Sequence, residues 1–292
     1  MPDYTEVLVC GMGGSAFPAR ALTFLDSSLP VTLHSDYGAP ENIKPNTLAV
    51  AISYSGNTQE TLSFAEEILK KNIPLAVIAS GGELIKLAKE KNLPHVIVPA
   101  GLVPRDALLY MLQGFLVILG NKKILDILEK VSIDEDFLMK EGARLSEEFN
   151  EQIPLIYSST DNAPLGYLWK TLVEEFAKIP AFTNVFPELA HNELDGIAAE
   201  GKNAGLAKGL RILLIQSEND DERVEHEMET FTKLVSSHGV SITSTIKLPE
   251  NRAERLLNGW IMARGFALAS AQHYEVNNPD KTPMIDKLKE EL

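Results

Sequence analysis

A cluster of small hydroxyl side chains in the first half of the chain has the composition of an anion-binding loop. Ser53, Ser55 and Thr58 surround Gly56 within one short segment. Hydroxyl and backbone N–H groups can surround a phosphate without a lysine. The plain alternative is that Ser55 or Thr58 caps the helix that follows, but a cap needs only one hydroxyl. We therefore predict that this segment, Ser53–Thr58, binds a phosphorylated ligand.

A second small-residue loop follows the first apolar run of the chain. The segment Gly11–Ser15 is rich in glycine and ends in serine, immediately before a predicted helix. Glycine lets the backbone approach a ligand closely, and the free N–H groups at a helix start attract anions. The segment lacks the third glycine of a dinucleotide fingerprint and the lysine of a P-loop. A tight strand-to-helix turn therefore remains an open alternative for this loop.

Alternating apolar runs and helical patterns place both loops at the same edge of a predicted sheet. Strands are predicted, with helices between them, at 6–10, 31–35, 48–53, 74–79 and 95–99. This alternation is typical of a parallel β-sheet that is covered by helices on both faces. Both loops follow strands, and open sheets of this kind bind ligands at the carboxyl ends of their strands.

The same pattern restarts in the second half of the chain, after a charged helical connector at about 134–152. Strands are predicted at 154–158, 211–216 and 241–247, and helices at 166–178, 221–237, 250–270 and 283–292. We therefore predict an α/β protein with two similar lobes, each a parallel sheet flanked by helices. The predicted domains are residues 1–133 and 134–292.

Composition excludes several classes of partner. The net charge is −14 with a pI near 4.9, and no dense Lys/Arg run is present, so neither nucleic acid nor an anionic membrane is an expected partner. Cys10 is the single cysteine, which excludes an internal disulfide and fits a reducing compartment. The sequence contains no apolar stretch of membrane-spanning length and no signal-peptide pattern. We expect a cytoplasmic protein.

Taken together, these segments resemble the sugar isomerase (SIS) domain superfamily. The segment Ser53–Thr58 is similar to the SIS signature, with Gly11–Ser15 as its companion loop. Three further segments resemble the bifunctional phosphoglucose/phosphomannose isomerases: Val103–Leu108, Pro187–Asn192 and Asn278–Lys289. The resemblance covers nearly the whole chain. It implies two SIS-type lobes, each a flavodoxin-like three-layer sandwich.

The resemblance also implies which residues bind substrate. The phosphate would be bound by Ser53, Ser55 and Thr58, with Gly14 and Ser15 contributing from the first loop. Arg105 would contact the sugar, and Thr282 would allow mannose 6-phosphate to be accepted. No metal and no cofactor are expected. The substrate would be a sugar phosphate.

Three further residues are implied to act in catalysis: Glu175 as the base, His191 in ring opening, and Lys289 near the C-terminus. Aldose–ketose isomerisation moves a proton between C2 and C1 through an enediol(ate), which requires a carboxylate base in a partly dry site. Imidazole transfers protons near pH 7, and an ammonium offsets enediolate charge. The adjacent Glu174 leaves open which of two carboxylates is the base.

The implied function is interconversion of glucose 6-phosphate, and of mannose 6-phosphate, with fructose 6-phosphate, as in glycolysis and gluconeogenesis. The resemblance further implies a homodimer in which the neighbouring subunit supplies the histidine to a shared active site. Two alternatives remain open at this point. One is a non-catalytic SIS sensor of sugar phosphates, and the other is a different SIS-type sugar-phosphate isomerase.

Overall fold

The protein consists of two compact units. The computed structural model describes residues 4–149, 151–203, 205–238, 241–242 and 245–291. Within it the chain divides into Met1–Val131 and Ser132–Leu292, called here the N-unit and the C-unit.

The N-unit contains a parallel sheet. Its strands are β1 (Glu6–Cys10), β2 (Val31–His34), β3 (Thr47–Ile52), β4 (Leu75–Ala79) and β5 (His95–Ile97). Their order is β2-β1-β3-β4-β5, and every pair of neighbours is parallel. The strands β1, β3 and β4 are buried along their whole length, which explains why they read as continuous apolar runs rather than as alternating ones.

Helices cover both faces of this sheet. They are α1 (Phe17–Leu25), α2 (Gln59–Lys70), α3 (Gly82–Glu90), α4 (Leu108–Leu119) and α5 (Lys122–Lys130). On one face Phe64 and Ile68 of α2 and Leu84 of α3 pack into one core with side chains from the strands. On the other face α4 approaches closely, because a Cβ on Gly114 would lie 3.1 Å from Cγ1 of Val96. The result is a three-layer sandwich.

The C-unit repeats the design around a second parallel sheet. Its strands are β6 (Ile153–Ser159), β7 (Phe182–Phe186), β8 (Leu210–Ser217), β9 (Ser241–Ile242) and β10 (Ile246–Leu248). The order is β10-β8-β6-β7, with β9 also paired to β8. Its helices are α6 (Glu135–Glu147), α7 (Ala163–Leu172), α8 (Glu193–Ile197), α9 (Glu222–Ser237), α10 (Arg252–His273) and α11 (Pro283–Glu291).

The predicted fold class is confirmed: both sheets are parallel and flanked by helices. Several local differences from the sequence predictions are present. Strand β7 and helix α5 were not predicted, and the helix expected at 166–178 is α7 followed by a π-helical turn, Val173–Ala177. The strand expected at 241–247 is β9 and β10, with residues 243–244 outside the described part of the chain. In the part of the chain that the structure describes, no helix is long and apolar enough to span a bilayer.

Candidate functional site

The N-unit has its topological switch point between β1 and β3. From β1 the chain continues to β2 on one side, and from β3 it continues to β4 on the other. Loops that diverge in this way leave a crevice at the carboxyl ends of the two strands, where doubly wound sheets bind ligands. The loops at this crevice are Gly11–Ser15, after β1, and Ser53–Thr58, after β3.

The hydroxyls of the second loop interact with one another and with their own backbone. The Oγ of Ser53 lies 2.9 Å from Oγ1 of Thr58. Thr58 is the N-cap of α2, but its side chain makes no capping hydrogen bond. The exposed Ser55 accepts a hydrogen bond of 3.2 Å from the backbone N–H of Asn57. Capping of α2 therefore does not explain the hydroxyls, and the first N–H groups of that helix are left to a ligand or to water.

The two loops and the turn that contains Arg105 lie together. The backbone N–H of Tyr54 donates to Oγ of Ser15 over 3.2 Å, which joins the β3 loop to the β1 loop. A Cβ on Gly14 would lie 3.2 Å from Cδ2 of Leu108, so this glycine packs against the turn of Arg105. Arg105 is only 2% exposed. The structure thus brings together all the N-unit residues that the sequence singled out.

The sequence analysis missed the residues that hold these loops in shape. The phenol of Tyr54 donates to the carbonyl of Pro99 and accepts from the N–H of Leu102, at 3.1 and 2.8 Å. Gly56 has a φ of +70°, and a Cβ there would lie 1.9 Å from the carbonyl oxygen of Gly81. A third loop, after β4, therefore packs against the hydroxyl loop. Its Gly81-Gly82 pair, placed directly after a strand, was the signal that could have revealed it.

In the C-unit, Glu174 and Glu175 lie in the π-helical turn that ends α7. Such turns are rare and occur often at functional sites. The carboxylate of Glu174 pairs with Nζ of Lys170 at 2.5 Å, and it accepts from the N–H of Ala181 at 3.5 Å. The side chain of Glu174 is thereby used in local structure. Glu175 is half-buried.

The turn of Glu175 is joined to the C-terminal segment through Lys178. The ammonium of Lys178 donates to the carbonyl of Glu175, and to the carbonyls of Pro279 and Lys281 at 3.3 and 2.7 Å. The next residue, Thr282, accepts from the N–H of Asp286 at the start of α11. Glu175 and Thr282 thus belong to one connected region of the C-unit. Lys289 is an exposed residue of α11.

His191 lies at the other edge of the C-unit sheet. Phe182, at the start of β7, pairs with Leu155, and Phe186, at its end, pairs with Ser159 at the carboxyl end of β6. The carboxylate of Glu174 accepts from the N–H of Ala181, directly before the start of β7. His191 is the last residue of the short 3₁₀-helix Glu188–His191, which follows the end of β7. A strand of this length spans roughly 16 Å. Within this unit the structure does not bring His191 and Glu175 together, and His191 is exposed.

Metal ligation finds no support in the described residues. Among them, no group of three or more His, Cys, Asp or Glu side chains is arranged to hold a metal ion. The groups gathered in the N-unit are hydroxyls, glycines, helix N–H groups and one buried arginine. Their chemistry suits an anion such as a phosphate.

A protein-family comparison decides the family. Residues 139–292, more than half of the chain, match the model of the bacterial phospho-glucose isomerase C-terminal SIS domain. The chain belongs to this family. The resemblance to phosphoglucose/phosphomannose isomerases inferred from the sequence is confirmed.

Individual members of this phospho-glucose isomerase family agree with the match. A bifunctional phosphoglucose/phosphomannose isomerase from Thermoplasma acidophilum is 37% identical over 65% of this chain, which covers 61% of that relative. The chain thus spans less than two thirds of the length of that protein. A protein of the same name from Aquifex aeolicus is 32% identical over 82% of this chain and 76% of its own length.

A solved structure confirms the fold. Glucosamine-6-phosphate deaminase from Thermotoga maritima aligns with a TM-score of 0.69 over 96% of this chain and 88% of its own. The sequence identity is 17%, so this likeness concerns the fold alone.

Proposed function

We propose that this protein is an aldose–ketose isomerase that interconverts glucose 6-phosphate and mannose 6-phosphate with fructose 6-phosphate. The observation that supports it most is the cluster of hydroxyls at the N-unit switch point in a member of the phospho-glucose isomerase family. The relatives from Thermoplasma and Aquifex are named as isomerases of this type.

The substrate phosphate would bind at the N-unit loops. Ser53, Ser55 and Thr58 would offer hydroxyls, and the first turn of α2 would offer unpaired N–H groups. Gly14 and Ser15 would approach from the other side of the crevice, and Arg105 would contact the sugar. The chain has a net charge of −14, so local groups must hold the anion against an unfavourable overall field.

Glu175 would be the base that moves the proton between C2 and C1. Its position supports this choice, because Glu175 is half-buried and lies in the π-helical turn Val173–Ala177, a kind of turn that occurs often at functional sites. Thr282, joined to the same region through Lys178, would leave room for both C2 epimers.

His191 and Lys289 would assist ring opening, with His191 supplied by a second copy of the chain. The separation of His191 from Glu175 across the C-unit sheet supports this arrangement, since one copy does not hold both near each other. We therefore propose a homodimer with shared active sites. The protein would act in the cytoplasm, in glycolysis or gluconeogenesis, without metal or cofactor.

A coupled assay with fructose 6-phosphate that scores both aldose products tests the activity. Formation of glucose 6-phosphate and mannose 6-phosphate is the expected result. Binding of fructose 6-phosphate without turnover would instead indicate a sensor. Turnover of a different ketose phosphate alone would indicate another SIS-type isomerase.

Mixing two inactive variants tests the shared site. Glu175→Gln and His191→Ala should each be inactive, but a mixed dimer contains one site with both native residues. Random reassociation should therefore restore about a quarter of native activity in a two-fold dimer. If each site used its own chain's histidine, no site of the mixture would be complete and no activity would return.

A further inference from the structure

The ammonium of Lys178 lies among three backbone carbonyl oxygens. They belong to Glu175, Pro279 and Lys281. A lysine ammonium has three donors and no acceptor, so it can donate to all three carbonyls. One of the three is in the π-helical turn, and two are in the segment that leads into α11. Lys178 therefore connects two segments that are about a hundred residues apart in the chain.

The backbone at Lys178 is shaped for this contact. Lys178 ends the π-helical turn in the left-handed region, with a φ of +57°. The last carbonyls of a helix have no partners inside the helix and have partial negative charge, so a cation is favoured beside them. The ammonium of Lys178 is such a cation, and it also reaches the two carbonyls of the C-terminal segment.

The C-terminal segment contains an exposed helix. None of the described residues of α11 is buried. Between α10 and α11 the chain turns at Glu275 and Asn278, which have positive φ values of 51° and 60°. Since no described residue of α11 is buried, the hydrogen bonds of Lys178 to the carbonyls of Pro279 and Lys281 are contacts that can fix this segment.

We propose that Lys178 is a positioning residue that fixes the C-terminal segment 279–291 against the turn of Glu175. It acts through backbone carbonyls and does not touch substrate. The assignment rests on the proposed function only in that Glu175, Thr282 and Lys289 are taken as site residues. Losing the ammonium should release the segment, and with it Thr282 and Lys289, from the neighbourhood of the base.

Amide hydrogen exchange of the full chain tests the connection without any assay of activity. Lys178→Met keeps the length of the side chain and removes the ammonium. Exchange in residues 279–291 should become roughly tenfold faster or more, because hydrogen bonds to a charged group are lost. Lys170→Met is the matched control, since it removes a cation that pairs with Glu174 on the same helix. Unchanged exchange in Lys178→Met, or an equal increase in Lys170→Met, would overturn the proposal.

Kinetics with fructose 6-phosphate then test the consequence for the site. Lys178→Met should lower kcat about tenfold while KM changes less than about threefold, and Lys178→Arg should recover most of kcat. Faster exchange with an unchanged kcat would overturn the positioning role. An inactive native protein would contradict the proposed function instead, and the exchange measurement would still decide whether Lys178 holds the segment.

Discussion

The carboxyl edges of the two sheets have the same topology but opposite chemistry. In the N-unit the central strands β1 and β3 diverge to neighbours on opposite sides, and in the C-unit β6 and β8 do the same. The N-unit loops at this edge are made of glycines and hydroxyls. The loops at the C-unit edge contain the carboxylates Asp161 and Asp220, and both contribute to one polar cluster.

The centre of that cluster is Arg255, a fully buried residue of α10. Its Nη1 donates to Oδ2 of Asp161 and to Oδ1 of Asn162, both at 3.1 Å. The Nδ2 of Asn162 in turn donates to Asp220 and Ser217, also at 3.1 Å. Burial lowers the pKa of Arg255, and the nearby Asp161 opposes that shift.

The same sheet topology thus forms a crevice in both units, and the side chains of the loops determine which ligand can bind there. In the C-unit the buried guanidinium of Arg255 donates to the loop residues Asp161 and Asn162, and the nearby carboxylates of Asp161 and Asp220 would repel a phosphate. In the N-unit the two loops are rich in small residues and hydroxyls, and the buried Arg105 lies in the adjacent turn, where its positive charge favours an anion. Of the catalytic residues proposed in the C-unit, Glu175 lies before β7, whereas His191 follows β7 at the carboxyl edge of the sheet.

Loss of the Glu175 carboxylate should have the largest effect on turnover, and it should distinguish the region of Glu175 from the switch point of the C-unit. Glu175→Gln should lower kcat/KM by about 10²–10⁴, because the proton acceptor is lost. Asp220→Asn, at the switch point, should lower stability and leave kcat/KM of the folded protein close to native. Steady-state kinetics and urea denaturation on both variants measure the contrast. If Asp220→Asn abolished turnover in a folded protein, the C-unit switch point would belong to the active site.

Arg255→Met tests whether the C-unit cluster is structural. The free energy of unfolding should fall by about 1–3 kcal/mol, because the buried amide of Asn162 loses a hydrogen-bond partner. Urea denaturation measures it, and KM for fructose 6-phosphate should stay near the native value at low temperature. Arg223→Met, which removes an exposed arginine paired with Asp221, should leave the unfolding midpoint nearly unchanged. Equal midpoints for the two variants would show that Arg255 has no special structural role.

Removing one hydroxyl from the carboxyl edge of each sheet compares the roles of the two edges directly. Thr58→Val keeps the shape of the side chain and should raise KM roughly tenfold, because a hydrogen bond to a charged phosphate is lost. Ser217→Ala should leave KM unchanged and lower the free energy of unfolding by about 1 kcal/mol. Kinetics and denaturation of each variant are needed. The comparison fails if the two variants show the opposite pattern.

The smallest expected effect concerns Cys10, directly before the first N-unit loop. Burial raises its pKa from 9.0 to about 12, although a hydrogen bond with Thr61 opposes the shift. Below pH 9.0 the thiol is protonated in both states; above it, the unfolded thiol ionises first. The resulting stability is therefore lost as pH rises from 9.0 towards about 12.

Cys10→Ala should remove this part of the pH dependence. Urea midpoints of native and variant protein between pH 7 and 10.5 measure it. Burial also raises the pKa of Tyr157 in the C-unit, but that contribution is common to both proteins. Parallel midpoint curves for the two proteins would mean that the Cys10 thiol is not shielded in this way.

The sequence predicted the architecture well because fully buried parallel strands read as short apolar runs with helices between them. It missed β7, whose residues are mostly half-buried and give no clear apolar run. It also could not predict the π-helical turn at Val173–Ala177, since one extra residue in a turn leaves the composition of the helix unchanged. That turn decides how Glu174 and Glu175 are oriented.

In the candidate site, clusters of functional side chains that are close in the sequence could be predicted, whereas contacts between distant segments could not. The hydroxyl loop was visible as a cluster in six positions. The contacts of Tyr54 with Pro99 and Leu102, and of Lys178 with the C-terminal segment, join residues far apart in the chain. The polar cluster around Arg255 was missed for the same reason. No local sequence pattern predicts such contacts.

The proposal that Glu175 is the base of an aldose–ketose isomerase is tested by isomerisation of fructose 6-phosphate in D₂O. The rate and the label are compared between Glu175→Gln and Glu174→Gln. The native protein and Glu174→Gln should form aldose 6-phosphates that contain solvent deuterium at C2, because a carboxylate base exchanges its proton with solvent during transfer. Glu175→Gln should form labelled product at least about a hundred times more slowly than the native protein. A Glu175→Gln variant that forms labelled product at the native rate, with Glu174→Gln inactive, would contradict the account.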